Sequence, residues 1–379
     1  MVNPAVGNAF EGGIQLKRLR VLQVGVGARG QVWDEVIRDC HRTEVAGYVD
    51  IDPAALDSMA ARYPGEEVYT STDLGAALDD VEPDVLVLVT PPETHGVQIE
   101  AACQRSIPVL AEKPLAEDLH EAVALTRMAE EANIPLSLCL NFRYLEVTQG
   151  MKRMIREETL GAPDFMHFVY IRNRDGKRSD INRYPLYMEH PMLLEQSIHH
   201  FDLIRYVTDS EVQWVDCHTW NPPWSMYDHD SNVSALMALE NGVHVDYIGT
   251  WTSGWDDMQF QWRVDCPEGV IIQDRLFADL KYAAMSGGDP DFEYEKGGGG
   301  GGGQLHPVPG VEEDTPFYDD TLALLEAFAG AVQDSTQPQP CSAEDHLRSL
   351  ATVFACIRSA ERGERVQLEE IYREYGIRT

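Results

Sequence analysis

The chain has 379 residues, which at roughly 100 to 200 residues per domain predicts two or three domains. Its 44% hydrophobic and 9% aromatic content excludes a mostly disordered polypeptide. With 63 Asp and Glu against 30 Lys and Arg the net charge is −33, a surface that repels phosphate backbones and anionic membranes and argues against nucleic-acid and membrane partners.

In chain order, Met1 to Gln15 lacks the charged and then apolar regions of a signal peptide, and the apolar strip around Val85 to Val89 is too short to span a bilayer. From Arg20 onward short apolar runs alternate with amphipathic stretches. Strands are predicted at Val21 to Gly25, Val45 to Val49, Asp84 to Thr90, Val109 to Ala111 and Leu136 to Leu140. Helices are predicted near Gln31 to Arg38, Pro53 to Ala61, His95 to Gln104 and Leu119 to Asn133. This alternation produces a doubly wound parallel sheet, a Rossmann-type unit over residues 1–141.

Gly25-Val26-Gly27-Ala28-Arg29-Gly30 leaves the first strand and opens the first helix, and Asp50 follows the last glycine by 20 residues. Alone the glycine pattern is weak; in this strand–turn–helix context it is a dinucleotide-binding signature. The glycines permit a tight turn and close approach, the helix N-terminus attracts pyrophosphate, and Asp50 accepts from ribose hydroxyls while repelling a 2′-phosphate. NAD is therefore expected over NADP. Glu112-Lys113-Pro114 falls at the C-terminal end of a buried strand, where ligands of open α/β sheets bind. An amine placed there would bind a developing alkoxide; a plain Glu112–Lys113 salt bridge is the structural alternative.

After Asn141 period-two alternation takes over, at Phe165 to Ile171, Asn232 to Leu239 and Val243 to Thr252. The last two flank Glu240-Asn241-Gly242, a hairpin signal. With helices at Met192 to Val207, Tyr318 to Val332 and Ala343 to Arg362, residues 142–379 read as an α+β domain with a large, mostly antiparallel sheet. Arg172, Arg174, Lys177, Arg178 and Arg183 concentrate positive charge before the first of these helices, which suits either an anionic substrate or an ion-pair network. Tyr144, Tyr184, Tyr187 and Trp251 are candidates to stack on a sugar ring. Gly297 to Gly303 has no Lys-Ser/Thr after it and reads as a surface loop rather than a phosphate loop.

Seven cysteines without a Cys-x-x-Cys spacing suit neither a disulfide framework nor a zinc ribbon, and a reducing cytoplasm is the simplest expectation. His190, Glu195, His199, His200 and Asp202 cluster in sequence, but no matching ligand set elsewhere supports a metal site. Only six of the 30 bases are lysine, and a carboxylate-rich, lysine-poor surface resembles those of salt-loving archaea, where counterions screen self-repulsion.

Taken with the glycine turn, five further segments resemble the glucose-fructose oxidoreductase, inositol dehydrogenase and rhizopine-catabolism family almost end to end. They are Val89-Thr90-Pro91-Pro92-Glu93-Thr94-His95, Glu112-Lys113-Pro114, Asn141-Phe142-Arg143-Tyr144, Leu194 to Asp202, and Ser342-Ala343-Glu344-Asp345. The resemblance implies a sugar or polyol oxidoreductase with two domains, working as a homodimer or homotetramer. It implies that Gly25, Gly27, Ala28, Arg29, Gly30, Asp50, Thr90, Pro91, His95, Glu112 and Lys113 hold the cofactor. Arg143, Tyr144, Arg172, Glu195, His199 and His200, with Lys113, would meet substrate, and Lys113, His199 and Glu195 would carry the chemistry. The family usually has Asp-x-x-x-His-x-x-Asp where this chain has Glu195-x-x-x-His199-x-x-Asp202. On a helix Glu195 and His199 share a face, so the longer acid is expected to orient His199, a group near its ordinary pKa. An enzyme that oxidises only transiently to assist bond cleavage, and a silent NAD-binding regulator, are the other classes compatible with these residues.

Overall fold

The computed structural model describes residues 17–174, 183–285 and 304–378. Lys177, Arg178, the glycine run and Met1 to Gln15 lie outside them. The N-terminal part runs β1 (Leu19–Val24), α1 (Ala28–Asp39), β2 (Thr43–Val49), α2 (Pro53–Ala60), β3 (Tyr69–Ser71) and α3 (Leu74–Val81). It continues with β4 (Val85–Leu88), α4 (His95–Cys103), β5 (Val109–Ala111), α5 (Leu119–Glu131) and β6 (Leu136–Leu138). The six strands form one parallel sheet in the order β3-β2-β1-β4-β5-β6. Helices cover both faces, which is why β4 reads Val-Leu-Val-Leu with every side chain buried. Asp52, Asp73 and Asp118 each accept from a first-turn N–H of α2, α3 and α5. At α1 the helix instead begins at Gly27 with no side-chain cap.

The remainder comprises α6 (Glu146–Arg156), β7 (Phe165–Ile171), a π-helical turn (Met192–Ser197) running into α7 (Ile198–Thr208), β8 (Val212–Trp220), β9 (Asn232–Leu239) and β10 (His244–Thr250). Next come β11 (Gln259–Cys266), β12 (Gly269–Arg275), β13 (Ala278–Ala284), β14 (His306–Pro307), α8 (Asp319–Gln333), α9 (Ala343–Arg362), β15 (Val366–Gln367) and α10 (Leu368–Tyr375). Nine strands make a second sheet, β14-β13-β12-β11-β7-β10-β9-β8-β15, antiparallel except where β7 and β10 run together. The expected Asn-Gly hairpin joins β9 to β10: Gly242 takes φ +91° and the Leu239 N–H donates to Val243 O at 2.8 Å.

Two details differ from the sequence reading. The helix predicted over Met192 to Val207 is wide-turned up to Ser197 and regular only from Ile198. Such π turns recur at functional sites, and apolar periodicity cannot distinguish them from α. The short elements β3, α3 and α6 and the strands β8 and β11 to β13 carry weaker patterns and were not anticipated. Residues near 340 also return to the first sheet. Its edge strand β6 meets them through a Ser137–Ser342 bridge and a Leu138 N–H to Cys341 O bond of 2.9 Å. All seven cysteines are free thiols. No helix among the described residues is long and apolar enough to cross a membrane.

Candidate active site

Strand order reverses at β1, with β2 and β3 on one side and β4 to β6 on the other, and such a reversal leaves a crevice at the carboxyl ends of the strands. A cavity of about 370 Å³ opens there. Val89 to Pro92 after β4, Glu112 and Lys113 after β5, and Asn141 and Phe142 after β6 form one wall. Arg172 and Arg174 after β7, Tyr184 in a short turn, Glu195 and Gln196 in the π turn and His199 in the first turn of α7 complete the lining, while Arg29 and Phe317 close the end near the glycine turn.

The glycine turn is built for close approach. Gly25 has φ +93°, and a Cβ there would lie 2.3 Å from Val89 O; at Gly30 it would lie 2.4 Å from Gly25 O. At Gly27, in contrast, an added Cβ meets nothing within 4 Å. That open space adjoins the uncapped first-turn N–H groups of α1, the arrangement that receives a pyrophosphate. Asp50, beyond the end of β2, accepts from Val26 N and Asp52 N at 2.9 Å each, one bond per oxygen. Each carboxylate oxygen keeps a lone pair for a ribose hydroxyl. These residues fit NAD.

Arg29 does not reach toward phosphates. Its Nε donates to Glu112 Oε1 (2.8 Å), Nη1 to Phe317 O (2.9 Å) and Nη2 to Thr321 Oγ1 (2.9 Å), clasping the two parts of the chain together. Trp33 Nε1 also donates to Glu112 Oε1 at 2.8 Å. Burial alone would raise the Glu112 carboxyl, but the Arg29 charge and the Trp33 bond outweigh it and hold the group below its ordinary value. A Glu112–Lys113 bridge does not form, because Glu112 serves Arg29 and Trp33 while Lys113 turns to the cavity.

Lys113 Nζ donates to both the Oε2 and the backbone O of Glu195, each at 2.8 Å. Tyr184 OH donates to the same Oε2 at 2.6 Å. Burial first, and then the Glu195 charge, push the Tyr184 hydroxyl far above its ordinary pKa, so it stays a donor. Glu195 thus anchors Lys113 and not His199, contrary to the role expected of it. An ammonium has three donors, and two are spent on Glu195, leaving one for a ligand.

His199 stacks on Phe142, ring centroids 4.3 Å apart, and lines the cavity. Among the described residues its ring nitrogens meet no hydrogen-bond partner. Burial, then the Lys113 and Arg29 charges, lower its pKa well below 6.5. This corrects the expectation of an unperturbed histidine: His199 is neutral at pH 7, and its buried site beside Lys113 disfavours the charged ring.

Besides the glycine turn and Asp50, four expected contacts lie outside the cavity. Arg143 is turned into the protein, where Nε and Nη2 grip Asp202 at 2.7 and 2.5 Å and Nη2 meets Asp345 at 2.6 Å. Tyr144 follows it out of the lining. His200 is buried against Tyr247 OH (2.9 Å) and Gln196, and burial lowers its pKa to about 3. His95, fully buried, sits between Leu115 O and Thr90 O at 3.1 Å and supports the turn after β4 from behind. Of the aromatic candidates only Tyr184 faces the cavity; Trp251 is buried under Arg174 and Tyr187 is exposed. Among the described residues no group of three or more His, Cys, Asp or Glu is arranged to hold a metal ion. Sequence reasoning missed Phe142 and Phe317. The first lies within the Asn141 to Tyr144 segment, whereas nothing local marks the second.

Comparison with known proteins agrees with this geometry. Residues 19–139 match the model described as oxidoreductase family, NAD-binding Rossmann fold. Residues 148–272 match the GFO/IDH/MocA C-terminal domain. An uncharacterised Sinorhizobium fredii protein is 26% identical over 94% of this chain and 98% of its own length. The inositol 2-dehydrogenase of Mycolicibacterium gilvum is 26% identical over 93% of each chain. Among solved structures, an Agrobacterium radiobacter oxidoreductase in complex with NAD+, L-tartaric acid and magnesium shares the fold, with TM-score 0.80 and 20% identity, covering 94% of this chain and 100% of that one. With both family models matched in order, and Lys113 and His199 meeting in one cavity, the chain belongs to the NAD-binding oxidoreductase family of glucose-fructose oxidoreductase, inositol dehydrogenase and the rhizopine-catabolism proteins.

Proposed function

We propose that the protein is a dehydrogenase that oxidises a carbinol of a sugar, polyol or sugar derivative, and that the anchored Lys113 and the neutral His199 facing one cavity carry the reaction. NAD, when bound, supplies the carbon that accepts the hydride. The α1 N-terminus and Gly27 receive its pyrophosphate, Asp50 its adenosine ribose, and Thr90 and Pro91 border its path into the cavity. Lys113 spends its third N–H on the substrate oxygen and stabilises the charge that grows there as the C–H bond breaks. His199 takes the hydroxyl proton, which its neutral ring permits at pH 7. Glu195 and Tyr184 position the lysine. The single observation behind this reading is the Glu195 clamp, which leaves Lys113 one directed donor.

The test is NADH formation from a panel of sugars, polyols and sugar acids in molar potassium chloride. Turnover of at least one substrate, with NAD preferred to NADP and the preference narrowed by Asp50→Ala, is expected. Normal NAD binding with no turnover across the panel would leave the silent regulator as the better account. We also read the acidic surface as salt-adapted, so the melting temperature should rise from 0.1 to 3 M potassium chloride; a flat profile removes that reading. The face of the second sheet that carries Leu236, 52% exposed, is the surface we assign to homodimer or homotetramer contacts, to be checked by light scattering.

A further inference from the structure

We infer that the substrate is an anion, and that Arg172 and Arg174 hold its carboxylate or phosphate while its carbinol meets Lys113 and His199. This rests on the dehydrogenase reading of the same cavity. Both arginines follow the end of β7 with their backbone fixed: Arg172 N donates to Thr250 O at 3.0 Å and Arg174 N to Trp251 O at 2.8 Å. Two residues apart in extended chain, they project to one side, and both line the cavity.

What sets them apart is that, among the described residues, they line the cavity without an acid partner, whereas Arg29 and Lys113 beside them are paired. In a chain with 63 acids to 30 bases, arginines readily find carboxylates, as Arg29, Arg143 and Arg205 do. Among the described residues Arg172 has only the Tyr170 hydroxyl, at 3.5 Å. Arg174 stacks on Trp251 at 4.3 Å, and its Nη1 is buried without a hydrogen-bond partner. A partly desolvated guanidinium without a counter-charge is costly, and an oxyanion ligand removes that cost. Four cations, Arg29, Lys113, Arg172 and Arg174, line the cavity against two carboxylates, Glu112 and Glu195. A neutral polyol needs no such surplus. An anion approaching a surface of charge −33 does. The Tyr170 hydroxyl also reaches Gln196 Oε1 at 3.2 Å, so the anion seat is tied to the turn that presents Glu195.

The experiment compares skeleton-matched substrates at one high salt concentration: gluconate with sorbitol, galacturonate with galactose, glucose 6-phosphate with glucose. The anionic member of at least one pair should show a kcat/KM about tenfold or more above its neutral partner, and the pair that does so tells a carboxylate from a phosphate. Arg172→Gln and Arg174→Gln should each reduce that preference by about ten- to a hundredfold, mainly through KM, with Arg→Lys restoring part of it. Neutral substrates used as well as the anions, or a preference that survives both Gln variants, overturns the inference while leaving the dehydrogenase reading intact. If no compound is oxidised, the dehydrogenase reading fails. Calorimetric titration of gluconate and glucose 6-phosphate then decides the seat on its own: binding lost in Arg172→Gln supports it, and no binding to the wild type refutes it.

Discussion

The segment from the π turn through α7 serves two ionic clusters made from the same kinds of residue, and they differ in one respect. Around Asp202 and Arg205 every strong charge is matched: Arg143 with Asp202 and Asp345, Arg205 with Glu211 (2.6 and 2.8 Å) and Asp345 (2.9 Å), and Ser349 donating to Asp202 at 2.7 Å. Around Glu195 and His199 the matching is incomplete. Lys113 retains a donor, His199 has bare ring nitrogens, and two arginines lack acids among the described residues. A matched buried cluster holds the fold; a cluster with charge left over is suited to a ligand.

Breaking the matched cluster should give the largest effect. Asp202→Ala removes two of the three carboxylate contacts of buried Arg143 and leaves it only Asp345, and losing one partner of such a pair costs up to about 3–5 kcal/mol. The denaturant midpoint should fall accordingly. An unchanged midpoint would mean that the matched side contributes nothing special to stability. Lys113→Ala should act mainly on turnover, lowering kcat by about 10²–10³ with a smaller fall in the denaturant midpoint, since Glu195 keeps the Tyr184 donor. A large stability loss without a kcat defect would exchange the roles assigned to the two clusters.

The contrast sharpens with acid. His346 adjoins Asp345 and accepts the Leu115 N–H through Nε2 at 3.3 Å, which requires the neutral ring. Burial lowers its pKa to about 4. Between pH 6.5 and 4 the unfolded chain therefore binds a proton that the folded chain refuses, and stability falls as pH falls. The loss is on the order of 2 kcal/mol by pH 5. His346→Gln should flatten that part of the stability profile, and an identical slope in the variant would exclude His346 as its source. The smallest change expected is in Tyr184→Phe. Deleting the 2.6 Å bond to Glu195 should cost roughly tenfold in kcat with the NAD dissociation constant unchanged. Tyr184 is a positioning residue, so the loss should fall on kcat with substrate KM and the melting temperature little changed.

These clusters also mark what was readable beforehand. The glycine turn, Asp50, Lys113 and His199 were legible because each belongs to a short motif whose spacing encodes a strand end or a helix face. The Lys113–Glu195 clamp spans 82 positions, and the orientation of Arg143 depends on Asp345 from α9, 202 positions away. Nothing local to Arg143 reveals that it turns inward while Arg172 turns to the cavity. That choice is made by where acids arrive in three dimensions, which also decided that Glu195 would serve the lysine rather than the histidine.

The strip that closes the edge of β6 bears on how the molecule is made. Gln339 Nε2 donates to Leu136 O at 2.7 Å and Ser137 Oγ to Pro340 O at 2.7 Å, beside the Ser137–Ser342 bridge. These partners leave the ribosome some two hundred residues after the strand they cover. Until then β6 is an open edge of a parallel sheet, the kind of surface that pairs with neighbouring chains. A fragment ending at residue 141 should accordingly aggregate where the full chain stays monodisperse, a difference that sedimentation of the two products would show. The strip around residues 339–342 thereby acts as the stopper for a sheet whose last strand ends near residue 138.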